Sequence, residues 1–219
     1  MFLTLILSSF LTFMELNCEN LFDTRHDSLK NDLEFLPDGS YKWMPYRYWA
    51  KLNHLGQEIV ALSNPIPDFV AMCEVENDSV MFDLTRRSLL RNAGYEYVMT
   101  SSPDDRGIDV ALLYQPASFA LLHSHSIRIK PLPDTRPTRD ILYVSGLIIT
   151  GDTLHVLVVH APSRRGGELA SRPYRLHVAS QLAEAVDSVY AISRDAKIII
   201  AGDFNDYADS PALQYLYEH

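Results

Sequence analysis

Four apolar runs in this 219-residue chain each end in polar residues able to bind ions. Phe10 to Cys18 ends in Asn17-Cys18-Glu19-Asn20, and Asp68 to Val75 ends in Glu74-Val75-Glu76-Asn77. Thr153 to Val159 ends in His160, and Lys197 to Gly202 ends in Asp203-Phe204-Asn205-Asp206. If the runs are strands, their ends bring carboxylates, carboxamides and an imidazole to a common rim. Such an oxygen-rich rim suits a hard divalent cation, which keeps several waters and takes oxygen ligands. Any one of these carboxylates alone is as readily a solvated turn. The fourth group is harder to read that way. Gly202 lets the backbone turn tightly, Asp203 and Asn205 fall on one face of an extended segment, and Phe204 points into the core.

The elements that must position these residues follow from periodicity. Phe10–Cys18 reads as a buried strand, and Glu19–Pro45 as a long loop with an Asp38-Gly39 turn. Leu52, Leu55, Ile59 and Leu62 recur at helical spacing, so a helix is predicted over Trp49–Leu62, stopped by Asn64-Pro65 and Pro67. Asp68–Val75 is a short buried strand. Asp78 is read as the N-cap of a helix running to about Arg91, with Gly94 as its stop. Three strand-like runs come next: Tyr95–Thr100, Ile108–Tyr114 and Phe119–Ile129. A proline-rich loop, Pro131–Arg139, precedes a hairpin of Ile141–Thr150 and Thr153–His160 across Gly151-Asp152. Ser163–Ser171 is a loop. Leu176–Tyr190 is an amphipathic helix, Lys197–Gly202 a strand, and Asp209-Ser210-Pro211 opens a last helix. Consecutive strands with helices at their flanks predict a mixed α/β sandwich.

Bulk properties narrow the function classes. With 47% hydrophobic residues, the chain suffices for one domain-sized core. Its net charge of −9 makes it a poor generic nucleic-acid binder, although bound metal ions change the local field. Two cysteines, Cys18 and Cys73, are too few for a disulfide framework and lack zinc-type spacing. They read as buried, reduced neighbours, each turned away from the adjoining Asn17 or Glu74 by strand alternation. The apolar segment 1–9 is too short to span a membrane, and it lacks both the basic start and the cleavage site of an export signal. It stands as either a signal remnant or an extension of the first strand, so export and cytoplasmic residence both stay open.

The ordered motifs resemble the endonuclease/exonuclease/phosphatase family, the deoxyribonuclease-I-like superfamily. They are Asn17-Cys18-Glu19-Asn20-Leu21-Phe22-Asp23, Cys73-Glu74-Val75-Glu76-Asn77, Arg106-Gly107-Ile108-Asp109 leading into Val110–Tyr114, His160-Ala161-Pro162-Ser163-Arg164-Arg165-Gly166-Gly167, and Gly202-Asp203-Phe204-Asn205-Asp206. The start is most similar to the bacterial branch. The resemblance implies an α/β fold, a four-layer α/β/β/α sandwich of two packed mixed sheets flanked by helices. It also implies a divalent-metal-dependent phosphoesterase of nuclease or phosphatase type, with Mg²⁺ as cofactor and Mn²⁺ as the alternative ion. Glu74 matches the principal metal ligand, with Asn17 and Asp203 beside it. Asp203 and Asn205 match the pair that orients the attacking water and the scissile phosphate. His160 matches a phosphate-contacting histidine. Arg164 and Arg165 carry guanidiniums suited to phosphate oxygens, or form a solvated basic loop.

Asp109, a charge opening an apolar strand, is expected to hold one nitrogen of His160 and raise its pKa. The rival reading is a strand-end carboxylate in water. Glu76 lies past the strand tip and is expected to bind the loop instead of the metal. Family members end on a further strand with an Asp-His or Ser-x-His element, and this chain ends at His219. The expected domain is therefore 10–219 without its last strand. The partner implied is a phosphate-ester substrate, with nucleic acid among the candidates and no obligate protein partner evident. Two alternatives remain: a phospholipid or small-molecule phosphoesterase of the same fold, and a catalytically impaired binding module.

Overall fold

The computed structural model describes residues 10–61, 64–133 and 135–219. Segment 1–9, and Leu62 at the expected end of the first helix, lie outside the described residues. The chain runs β1 (Phe13–Leu21), α1 (Pro45–Ala61), β2 (Phe69–Val75), α2 (Asp78–Arg86), β3 (Glu96–Met99), β4 (Asp109–Tyr114) and β5 (Phe119–Ile127). It continues as β6 (Ile141–Ile148), β7 (Thr153–His160), α3 (Glu168–Ile192), β8 (Lys197–Asp203) and α4 (Pro211–Tyr217). Two four-stranded sheets form, one ordered β1-β2-β4-β3 and the other β5-β6-β7-β8. Each is mixed: β1 lies parallel to β2, and β7 parallel to β8, while the other pairs are antiparallel.

Alternation along the strands divides the core into three layers. In β2, Val70 and Met72 face α1 and α2 with Leu52, Ile59 and Leu84. Phe69, Ala71 and Cys73 face the other sheet, meeting Val144, Val156 and Val158. On the far side Leu157 and Val159 of β7 pack against Val178, Leu182 and Val186 of α3. These are the four layers that the family resemblance implies, and they fit the mixed α/β sandwich read from the element pattern. The two parallel pairs decide where polar side chains gather. Parallel neighbours end at the same edge, so the C-terminal ends of β1, β2, β7 and β8 share one rim.

Several boundaries differ from those expected, each for a local reason. β1 begins at Phe13 because Thr12 is tied to Asp68, whose Oδ2 accepts from its amide and hydroxyl at 2.8 and 2.9 Å. α1 starts earlier, with Pro45 as its first residue, where a missing N–H costs nothing. Asn77, not Asp78, caps α2, accepting from Val80 N at 3.0 Å. That helix ends at Arg86, and Ser88 then caps a separate short 3-10 turn over Leu89–Asn92 by accepting from Leu90 N. α3 takes in part of the expected 163–171 loop and starts at Glu168. The long loop after β1 is well anchored: Trp43 Nε1 donates to Phe22 O at 2.8 Å, and Phe22 stacks on Phe35 at 4.1 Å.

Cys18 and Cys73 are free thiols, 1% and 0% exposed, on paired strands but opposite faces of their sheet. Burial holds the Cys18 thiol far above its ordinary range and pushes Cys73 up to about 12. Little thiolate, the reactive form, exists at pH 8. Labelling the native chain with a thiol reagent at pH 8 should therefore be far slower than labelling the urea-unfolded chain. Equal rates would place these thiols at the surface.

Candidate active site

Glu74 departs from the alternation of its strand. By the pattern of Val70 and Met72, residue 74 belongs on the helix-covered face. Instead Glu74 forms a bulge: Cys73 pairs with Val110 and Val75 with Asp109, leaving Glu74 unpaired at φ +60°. The bulge returns Val75 to the helix side and sends the Glu74 carboxylate across the rim toward the second sheet. There Oε1 lies 3.8 Å from Nε2 of His160.

His160 and Asp203 are register partners at the ends of β7 and β8. Asp203 Oδ2 is 4.0 Å from His160 Nε2 and accepts a hydrogen bond from Asn17 Nδ2 at 2.9 Å. That bond joins the two sheets. Asn205 does not continue an extended segment, as the sequence suggested. It sits at φ +51° in a turn in which its amide donates to Asp203 Oδ1 at 2.8 Å and its Nδ2 to Ala161 O at 3.1 Å. Phe204 does pack inward, beside Ile200 and Leu216. Gly202, at φ +127°, has no alternative, because a Cβ there would collide with the Val159 carbonyl oxygen of the adjacent strand.

Asn17, Glu74, His160, Asp203 and Asn205 thus share one rim. Asp109 meets a different set of partners from the one expected. Its Oδ1 accepts from Thr100 Oγ1 at 2.5 Å, from Ser102 N at 2.9 Å and from the Ser102 hydroxyl. His160 Nδ1 is buried without a hydrogen-bond partner among the described residues. The direction of the histidine shift is also reversed. Burial, with the Arg139 and Arg106 guanidiniums nearby, pushes His160 down to about 3, so the ring is neutral near pH 7. Arg164 lies over the Tyr207 ring at 4.4 Å, and Arg165 is exposed. Glu76 binds the loop as expected, its Oε2 accepting from Asp23 N at 2.7 Å.

The structure adds basic residues that the sequence reading passed over. Arg106 hydrogen-bonds Asn20 Oδ1 and reaches within 4.0 Å of Glu74 Oε2. Arg139 Nη2 donates to Ala161 O at 2.9 Å, directly behind His160. Arg175 is 1% exposed and binds Asp206 Oδ2 at 2.8 Å, tying α3 to the turn that carries Asp203 and Asn205. Its signal was present in the sequence: Arg175 falls on the same helical face as Val178, Ala179 and Leu182, where a charge needs a buried partner.

Among the described residues, no three His, Cys, Asp or Glu side chains form a metal cage. The donor set still fits Mg²⁺, which is usually held by one or two carboxylates with waters and substrate phosphate completing its shell. Glu74 and Asp203 converge on the same neutral imidazole, and a cation between them would relieve their repulsion.

A family model described as Endonuclease/Exonuclease/phosphatase family matches residues 12–218. No curated protein matches the sequence. Among solved structures, the human Nocturnin catalytic domain with bound sulfate anion is 19% identical at a TM-score of 0.61, covering 76% of this chain and 60% of its own. D. rerio TDP2 complexed with single strand DNA product is 19% identical at a TM-score of 0.60, covering 93% and 64%. A family protein from Bacteroides thetaiotaomicron is 15% identical at 0.62, covering 95% and 68%. At such identities the likeness is one of fold. The chain spans less than two thirds of the length of the Nocturnin and TDP2 structures.

Two stability tests arise from this geometry. Arg175→Ala removes the cationic partner of the buried Asp206 side chain, leaving Tyr207 N still donating to its Oδ1, and should cost about 3–5 kcal/mol in urea unfolding. A loss under about 1 kcal/mol, the level of a solvent-exposed pair, would show that the pair is not buried. Glu74→Gly should keep or raise the unfolding midpoint, because a left-handed backbone costs a non-glycine residue roughly 1 kcal/mol. A clearly lower midpoint would mean that Glu74 is held by packing, not strained for function.

Proposed function

Since this chain belongs to the endonuclease/exonuclease/phosphatase family, we propose that it is a divalent-metal-dependent phosphoesterase. The observation that carries this reading is the bulge that turns Glu74 out of its strand pattern to face Asp203 and His160. Glu74 would hold Mg²⁺, with Asn17 and Asp203 beside it. When bound there, such an ion would supply Lewis-acid charge stabilisation to the phosphoryl group.

The chain's own groups do the rest. Asp203 is fixed from two sides, by Asn17 and by the Asn205 amide, so its carboxylate is set to orient an attacking water. Neutral His160 offers Nε2 to a phosphoryl oxygen as a hydrogen-bond donor. Arg106, already at the rim, counters the charge that builds on the phosphoryl group. Arg139 and Arg175 stay behind as supports that hold the ends of β7 and β8 in place.

For the substrate, two features favour a small phosphoester over duplex nucleic acid: the net charge of −9 and a half-open cavity beside the rim, lined in part by Arg106 and Arg139. Single-stranded nucleic acid, present as product in the TDP2 structure, is the second candidate.

The test is Mg²⁺- or Mn²⁺-dependent hydrolysis of bis(4-nitrophenyl) phosphate, abolished by EDTA. Asp203→Asn should lower turnover on the order of 10²–10³-fold. Titration calorimetry should show metal affinity lost in Glu74→Gln and kept in Glu76→Gln. Unchanged affinity in Glu74→Gln would remove Glu74 as the ligand, and turnover unaffected by EDTA would end the metal-dependent reading.

A further inference from the structure

Lys51 falls on the face of α1 that carries Tyr48, Leu52 and Leu55, where a charge needs a partner. Its side chain is half-buried, and burial pulls its pKa below the ordinary lysine range. The partners are two backbone carbonyls at the tip of β1. Lys51 Nζ donates to Glu19 O at 2.5 Å and to Asn20 O at 3.3 Å. The same Nζ stands over the Trp43 ring at 5.6 Å, and Trp43 Nε1 donates to Phe22 O. The ammonium and the indole together grip the end of β1 from the helix side.

The chain they grip is irregular. Asn17 pairs with Cys73 and Leu21 with Val75, so Cys18, Glu19 and Asn20 stand against Glu74 alone. This second bulge lies beside the one at Glu74 in the neighbouring strand. Glu19 and Asn20 hold left-handed backbones, at φ +50° and +64°. Such strain persists only where the surroundings overdetermine it. Two side chains of the rim depend on the bulge. Asn17 Oδ1 accepts from Glu19 N at 2.8 Å, which sets the carboxamide whose Nδ2 donates to Asp203 Oδ2. Asn20 Oδ1 accepts from Arg106, which reaches within 4.0 Å of Glu74 Oε2.

We propose that Lys51 is a positioning residue for phosphoester hydrolysis: by clamping the Glu19 and Asn20 carbonyls it fixes the β1 bulge, which aims Asn17 at Asp203 and Asn20 at Arg106. Lys51 acts through these two asparagines and not on the substrate. An ammonium suits the task, because it is a compact charge with three donors and bridges two carbonyls at once. Without the clamp the bulge relaxes, and a shift of about 1 Å in Arg106 or Asp203 is enough to cost on the order of 10² in rate. The assignment rests on the phosphoesterase reading, and a measurement on the metal-free chain keeps the two separable.

The first variant is Lys51→Met, which keeps an unbranched stem beside Trp43 and removes the charge. In the EDTA-treated chain, ¹H–¹⁵N spectra should show the side-chain amide signals of Asn17 and Asn20 moving toward free-amide positions. The signal of Gln115, which donates to Ala93 O in another part of the fold, should stay in place. With Mg²⁺ present, kcat for bis(4-nitrophenyl) phosphate should fall about ten- to a hundredfold while KM changes less than about threefold, the split expected when transition-state contacts are misplaced. Asn20→Gly removes the carboxamide and relieves the left-handed backbone. It should lower kcat in the same way, and it decides the matter if Lys51→Met does not fold. Combining Lys51→Met with Arg106→Gln should cost less than the product of the single losses, as for groups that act through one another. Unmoved asparagine signals would overturn the proposal, as would an unchanged kcat in Lys51→Met or Asn20→Gly, or losses that simply multiply. Asparagine signals that move in a chain whose wild type hydrolyses no phosphoester would sink the hydrolase reading and leave the clamp in place.

Discussion

Charge cannot be carried into the dry space between two packed sheets, and that constraint organises this molecule. The inner faces of both sheets are apolar, with Phe69, Ala71 and Cys73 set against Val144, Val156 and Val158. Polar side chains from these strands therefore collect where the strands stop. Because β1–β2 and β7–β8 are parallel pairs, four strands stop at the same edge. The rim is a consequence of topology before it is a site.

Bringing the rim groups within reach of one another takes local departures from regular structure. Glu74 and Asn205 both hold left-handed backbones that favour glycine, at φ +60° and +51°. Without the bulge the Glu74 carboxylate would be driven into the helix-covered layer with Met72 and Val80. The turn at Asn205 folds its amide back onto Asp203, so the carboxylate is oriented by the chain that carries it. Such strain persists only where the surroundings overdetermine it. Here the surroundings are the Asn17–Asp203 bond between sheets and the buried Arg175–Asp206 pair beneath the turn.

The electrostatics come from the same crowding. Glu15, on the face of β1 shared with Asn17, has its carboxyl pushed up by burial and by Asp203. His160 is held neutral by burial and by two guanidiniums, although two carboxylates stand within 4.0 Å of Nε2. Acidic groups in front and arginines behind give the rim a polarity across a few ångströms. A cation is favoured at Glu74 and Asp203, and anions are favoured on the side of Arg106 and Arg139.

The sequence by itself marked the elements, their layers through the family resemblance, and most of the residues that meet at the rim. Apolar period and turn residues marked the eight strands and four α-helices of the described residues to within a few positions, apart from the start of α3 at Glu168, well ahead of the expected Leu176, because burial of apolar faces is local information repeated along each element. The polar residues at run ends marked Asn17, Glu74, His160, Asp203 and Asn205, since a charge that ends an apolar run has nowhere else to go. What the tertiary structure decided was direction and partnership. Strict alternation would have sent Glu74 to the wrong face, and only the pairing of β2 with β4 shows the bulge that turns it back. Asp109 lies at the right end of its strand, yet Thr100 and Ser102 occupy its oxygen, so proximity along the sequence pattern did not give a bond to His160. Arg106, Arg139 and Arg175 act through partners that lie on other elements, far from them along the chain. A hydrogen bond between distant residues depends on where two backbones meet in space, and no spacing along the chain encodes that.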